Sequence, residues 1–95
     1  MALDIVFTAK MRRDVKLMKK RGKDLSKLTA TLDLLANRKQ MPKNYRDHQM
    51  SGKLKDFREC HIGGEGDWLL LYQIFEDKLI LSASGTGTHI DIFGW

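Results

Sequence analysis

The spacing of apolar residues changes period along the chain, and each change marks an element. Leu3, Ile5 and Phe7 alternate with Asp4 and Val6, the period-two pattern of a short strand. Met11, Val15 and Met18 then recur at helical spacing, with Arg12, Arg13, Lys16, Lys19 and Lys20 between them. Thr8 is placed to cap this helix through its hydroxyl, and Gly22 to end it. Asp24 can cap a second helix with the stripe Leu25, Leu28, Leu32 and Leu35, stopping at Asn37. Residues 38–56 lose all periodicity, contain the only proline (Pro42), and read as a long, polar, basic loop. Three strands follow, at Phe57–Ile62, Asp67–Phe75 and Lys78–Ser84. The middle one, DWLLLYQIF, is nearly all apolar and predicts a central strand covered on both faces. A glycine-rich loop, residues 63–66, joins the first two, and Glu76-Asp77 joins the next two as a tight turn. Residues 85–89 are too glycine-rich for a regular strand, and residues 90–95 are expected to dock as a last strand or stay extended. Strand, helix, helix and antiparallel meander make one α+β domain over residues 1–95, its two helical stripes packed on a common sheet.

Composition narrows the class. Of 95 residues, 42% are hydrophobic and 31% charged, the mix of a folded globular domain rather than a disordered tail. No apolar run approaches the roughly 20 residues that span a bilayer, so no membrane partner is expected. The N-terminal segment puts its apolar stretch before its charges, the wrong order for a secretory signal. One cysteine, Cys60, excludes an internal disulfide, and with five methionines it fits a reducing, cytoplasmic setting. Charge is unevenly spread. Residues 1–58 carry sixteen Lys/Arg against six Asp/Glu, whereas residues 59–95 carry only Lys78 against six acids. A basic segment of this density attracts polyanions, nucleic acid first among them, although solvated helix faces would read the same way.

The three histidines, His48, His61 and His89, all fall outside the expected helices. With Cys60 they match no zinc-ligand spacing, so no metal or other cofactor is expected. Cys60 and His61 are strand neighbours with side chains on opposite faces, which argues against a Cys–His nucleophile pair. Cleaving RNA by acid–base chemistry needs a base for the 2′-hydroxyl, a cation for the developing phosphorane charge, and an acid for the leaving 5′-oxygen. Glu59 and His61 share one strand face, Asp67 opens the strand paired with theirs, and the basic loop supplies His48, Lys53 and Lys55. Each residue also has a purely structural use. His48 can be a loop histidine, His61 a strand-end or core residue, Glu59 a cross-strand ion-pair partner, and Asp67 an acceptor for turn amides. Trp68 suits the core, while Phe93 and Trp95 suit the core, an RNA-stacking surface or a partner's docking point. The GTG run, residues 85–87, lacks the spacing and the Lys-Ser/Thr pair of a phosphate loop.

Several ordered motifs then coincide: Tyr45-Arg46-Asp47-His48, Gly52 to Lys55, Arg58-Glu59-Cys60-His61-Ile62, Asp67 to Tyr72, and Thr86 to Phe93. Together they resemble the YafQ-type branch of the RelE/ParE superfamily of bacterial toxins, and the likeness covers nearly the whole chain. The resemblance implies a RelE-like fold, with two N-terminal helices on a twisted, mainly antiparallel sheet. It implies ribosome-dependent cleavage of messenger RNA in the A site by metal-independent chemistry, with a 2′,3′-cyclic phosphate or 3′-phosphate as product. It also implies a DinJ-type ribbon-helix-helix antitoxin, whose complex with the toxin binds operator DNA through the antitoxin. Carried over by motif, His48, Glu59, His61, Asp67, His89 and Phe93 become the candidate catalytic set, with Arg46, Lys53, Lys55 and Arg58 as RNA contacts. Two departures stand out: Gly85 occupies a position where many relatives have arginine, and the His61–Asp67 loop is about two residues longer than usual. A ParE-like, non-nucleolytic action on DNA gyrase and a catalytically weak ribosome- and antitoxin-binding module are the alternatives.

Overall fold

The computed structural model describes residues 2–64 and 66–94. Among these, five strands form one sheet: β1 (Asp4–Phe7), β2 (His48–Gln49), β3 (Arg58–His61), β4 (Leu69–Phe75) and β5 (Ile80–Gly87), in the order β1-β5-β4-β3-β2. The pairs β2/β3, β3/β4 and β4/β5 are antiparallel, and β1 lies parallel to β5. The apolar β4 is central, as its composition predicts, but the two helices cover only one of its faces, not both. Helices α1 (Ala9–Lys20) and α2 (Leu25–Ala36) begin where the sequence places them. Thr8 accepts from Met11 N at 3.1 Å, and Asp24 from Ser26 N at 3.0 Å, so each cap satisfies an amide the helix leaves unpaired.

Met11 and Met18 of α1 and Leu28, Leu32 and Leu35 of α2 are buried against one face of the sheet. Cys60, Leu70, Tyr72, Leu81 and Ala83 meet them there. Strand alternation sends Glu59, His61, Leu69 and Leu71 to the opposite face, which the two helices leave open. An extra residue in β5 matters here. Leu71 pairs with Gly85 and Tyr72 with Ala83, so Ser84 is a bulge. It reverses the alternation: Ala83 and Thr86 both reach the core, and Gly85 falls in register with Leu71 and Glu59 on the open side.

Four expectations need correction. Residues 85–87 do not leave the sheet: β5 runs through Gly87, and Asp14 of α1 covers its outer edge by accepting from Thr86 N at 3.1 Å. The following segment is a helix, α3 (His89–Phe93), rather than a strand. Its start is a capping box, in which Thr88 accepts from Asp91 N and Asp91 accepts from Thr88 N. Trp95 lies outside the described residues. The turn between β4 and β5 spans residues 76–79, with Leu79 in the left-handed region at φ 54°, rather than Glu76-Asp77 alone. Residues 38–56 are less irregular than their composition implies, since they hold β2 and two single-turn helices, Lys43–Tyr45 and Gly52–Leu54.

Candidate active site

The open face places four of the six residues of the expected catalytic set, His48, Glu59, His89 and Phe93, around one cleft, with Asp67 bonded to His89 behind it and His61 in a separate recess. Strand β2 is only two residues long, yet it sets His48 opposite Glu59. The residue before it does the anchoring. Asp47 accepts from Arg58 Nη2 at 2.9 Å and from the Tyr72 hydroxyl, and Arg58 Nε reaches that hydroxyl at 3.3 Å. Arg46, at φ 51°, turns the chain into this network, and His48 then points the other way. Its Nε2 stands 3.7 Å from Glu59 Oε1, too far for a hydrogen bond. Glu59 is 4% exposed, and among the described residues no donor meets its Oε2. His48, Met50, Ser51, Glu59, His89 and Phe93 line an open cleft of about 380 Å³.

The other wall is α3. Asp67, in the turn before β4, accepts from both His89 N at 3.1 Å and His89 Nδ1 at 2.6 Å. These two donors, the ring first, hold the Asp67 carboxyl below the usual carboxylate range. Phe93 follows His89 by one helical turn, with ring centroids 5.8 Å apart. His61 lies behind, its ring 6.4 Å from that of His89. A polar recess of about 190 Å³ beside it is lined by Asn44, Arg46, Gly64 and Gly66. Glu65, in the same loop, lies outside the described residues.

The three histidines share one protonation pattern. Nδ1 of His48 meets Arg46 O at 2.6 Å, Nδ1 of His61 meets Gly66 O at 3.0 Å, and Nδ1 of His89 meets the Asp67 carboxylate. Carbonyl and carboxylate oxygens only accept, so Nδ1 carries the hydrogen in each ring. Nε2 is left for a proton transfer in all three, and among the described residues no hydrogen bond reaches it.

The expected RNA contacts divide. Arg46 borders the His61 recess, and Lys53 and Lys55 stand exposed in the segment that follows Ser51. Arg58 lies on the core side of β3, committed to Asp47 and Tyr72. It lines a larger cavity of about 490 Å³ with Arg38, Lys43 and Arg46, whose carboxylate, Asp47, is already engaged. Cys60 is fully buried, and burial pushes its thiol up to about 12, which removes it as a nucleophile. Sequence reasoning missed Asp47, although it sits between two of the expected residues, and missed Met50 and Ser51 as cleft lining.

Fold and site together define an α+β toxin domain of the RelE type, with a histidine-carboxylate cleft on the uncovered face of its sheet. The chain belongs to the YafQ family, bacterial toxins of type II toxin-antitoxin systems, whose family model matches residues 3–94. It is 41% identical over 92 residues to the mRNA interferase toxin YafQ of Escherichia coli K12, covering 96% of each chain. The toxin in the crystal structure of the E. coli DinJ-YafQ toxin-antitoxin complex is 38% identical, with a TM-score of 0.85 over 99% of this chain and 100% of that one. A metal-bound toxin from Helicobacter pylori is 37% identical, with a TM-score of 0.88 over 96% of this chain and 99% of that one. In the present chain, no three His, Cys, Asp or Glu side chains among the described residues converge to hold a metal ion. Among those residues no helix is long and apolar enough to cross a membrane.

Proposed function

We propose that this chain is the toxin of a type II pair and an endoribonuclease that cuts messenger RNA in the ribosomal A site by acid–base chemistry without metal. The observation that carries this reading is the shared anchoring of three histidines through Nδ1, with no hydrogen bond on Nε2 among the described residues, beside a cleft that also holds a buried carboxylate. His48, backed by Glu59, takes the proton of the 2′-hydroxyl at Nε2. The 2′-oxygen attacks phosphorus, and the bond to the 5′-oxygen breaks. His89, protonated on both nitrogens and steered by Asp67, gives its Nε2 proton to that oxygen. The products are a 2′,3′-cyclic phosphate and a 5′-hydroxyl. Phe93 stacks on a base, His61 supports the phosphate beside His89, and Arg46, Lys53 and Lys55 draw in the RNA backbone. Arg58 acts on this site through Asp47, by fixing the loop that presents His48.

The resting partner is a DinJ-type ribbon-helix-helix antitoxin, which carries the pair onto operator DNA. Likeness to the toxin of the DinJ-YafQ complex supports that partner. The work is done in the cytoplasm, where ribosomes are.

Purified protein on programmed ribosomes, beside the same RNA without ribosomes and with EDTA throughout, tests the reading. Cuts confined to the ribosome lane and ending in 2′,3′-cyclic phosphate are expected. Cleavage abolished by EDTA and restored by a metal ion overturns the metal-free step. Intact RNA from folded, ribosome-bound protein overturns the nuclease.

A further inference from the structure

A further cation reaches the open face, and it comes from a helix. The Ser84 bulge turns Gly85 to the side on which Leu71 and Glu59 lie. A Cβ at position 85 would stand 3.2 Å from Lys10 Nζ and 3.3 Å from Asp14 Oδ2. An ammonium and its partner therefore lie directly against the place where a side chain would start. Gly85 is not among the residues with left-handed φ, so its backbone does not require glycine; the missing side chain leaves Lys10 room to lie against the strand.

Lys10 is anchored but not locked. Its Nζ lies 2.6 Å from Asp14 Oδ2, and its side chain is half exposed. Asp14 Oδ2 also accepts from Thr86 N at 3.1 Å, so Lys10 can turn to another anion without leaving that carboxylate bare. About three turns further along the same flank of α1, Arg21 grips Asp91 of α3, the helix that forms one wall of the cleft. Two strand spacings, about 10 Å, separate Gly85 from Glu59. The remaining basic candidates stand on the β2–β3 side of the cleft, and Lys10 approaches from β5.

We propose that Lys10 is a substrate-contact residue. Its ammonium, delivered over Gly85, binds the non-bridging oxygens of the RNA phosphate in the cleft and stabilises the charge that grows on them as the 2′-oxygen attacks. This rests on the RNA-cleavage reading above and adds to it a residue outside the six-residue set.

The test compares wild type, Lys10→Ala, Lys10→Arg, the double variant Lys10→Ala/Gly85→Arg, and Lys78→Ala as a control that removes a distant exposed charge. Three quantities are read: the single-turnover cleavage rate on saturating programmed ribosomes, ribosome binding by sedimentation, and the urea midpoint. Lys10→Ala is expected to cut about 10–100-fold more slowly, with midpoint and binding unchanged. Lys10→Arg keeps most of the rate. The double variant recovers at least about tenfold, because the cation returns from the strand instead of the helix. Lys78→Ala matches wild type. Lys10→Ala cutting at the wild-type rate overturns the proposal, as does a loss of ribosome affinity with the saturated rate intact, which would make Lys10 part of a general basic surface. Failure of the wild type itself to cut brings down the cleavage reading instead, so the two failures are told apart.

Discussion

Glu59 and Cys60 are adjacent in β3 and both are buried, yet they face opposite sides of one sheet and belong to different chemistries. On the Cys60 side, Leu70, Tyr72, Leu81 and Ala83 are 0–1% exposed beneath two helices, and the polar groups there are matched. Trp68 Nε1 donates to Thr86 Oγ1 at 2.9 Å, and that hydroxyl donates to Leu69 O at 2.7 Å. The Glu59 side keeps a carboxylate oxygen without a donor and three imidazoles with no hydrogen bond on Nε2, among the described residues. Unmatched buried polar atoms cost stability, so the open face holds groups that the fold by itself does not favour. One face settles stability and the other holds the candidate proton-transfer groups, with strand alternation keeping them apart.

That division can be broken experimentally. The largest effect is expected from His89→Ala, which should lower the single-turnover cleavage rate about 10²–10⁴-fold while shifting unfolding free energy by less than about 0.5 kcal/mol. A matching loss of stability in urea melts would mean that α3 is structural first and catalytic second. Leu70→Ala, on the covered face, should cost about 2–5 kcal/mol of stability, read as a lower urea midpoint, while correctly folded molecules keep their cleavage rate. Trp68→Phe, which removes one buried donor, should cost about 1–2 kcal/mol. Acid titration comes next. His89 lowers Asp67, and Arg21 lowers Asp91, so their contribution to stability is fully present above the ordinary carboxylate range and is lost as pH falls through the lowered values. Melts should therefore hold from pH 8 to about 5 and weaken below about pH 4. Smallest of all, iodoacetamide at pH 8 should leave Cys60 unmodified in the native protein and label it once urea unfolds the chain.

Local signals carried most of the fold. Thr8 and Asp24 mark helix starts that the hydroxyl and carboxylate then make physically, and the apolar run of β4 fixes the sheet's centre. The placement of the candidate site was legible as well, because Glu59 and His61 share a strand face and Asp67 must return near them. Two features were hidden for different reasons. The tail reads as extended because Ile90 and Ile92 favour strands, but the Thr88-x-x-Asp91 box, which was there to be seen, closes a helix. The two-residue β2 is too short to show any period; its pairing comes from Asp47 docking on Arg58 and Tyr72, a long-range contact with no local signature. Lys10 was invisible for a third reason. It acts at a position where the sequence has no side chain, and only the bulge shows which way that gap faces.

The parallel pairing of β1 with β5 also bears on the order of events at synthesis. Thr8 bonds to Ser84 across 76 residues, so the first strand emerges long before its partner is made. Until β5 arrives, β1 has no sheet to join, Asp14 has no Thr86 amide to hold, and His89 does not yet exist. The nascent chain therefore has neither its sheet closed nor the His89 wall of its cleft in place. Closing the sheet waits on the most distant pairing in the chain, one that only the finished C-terminal third can supply.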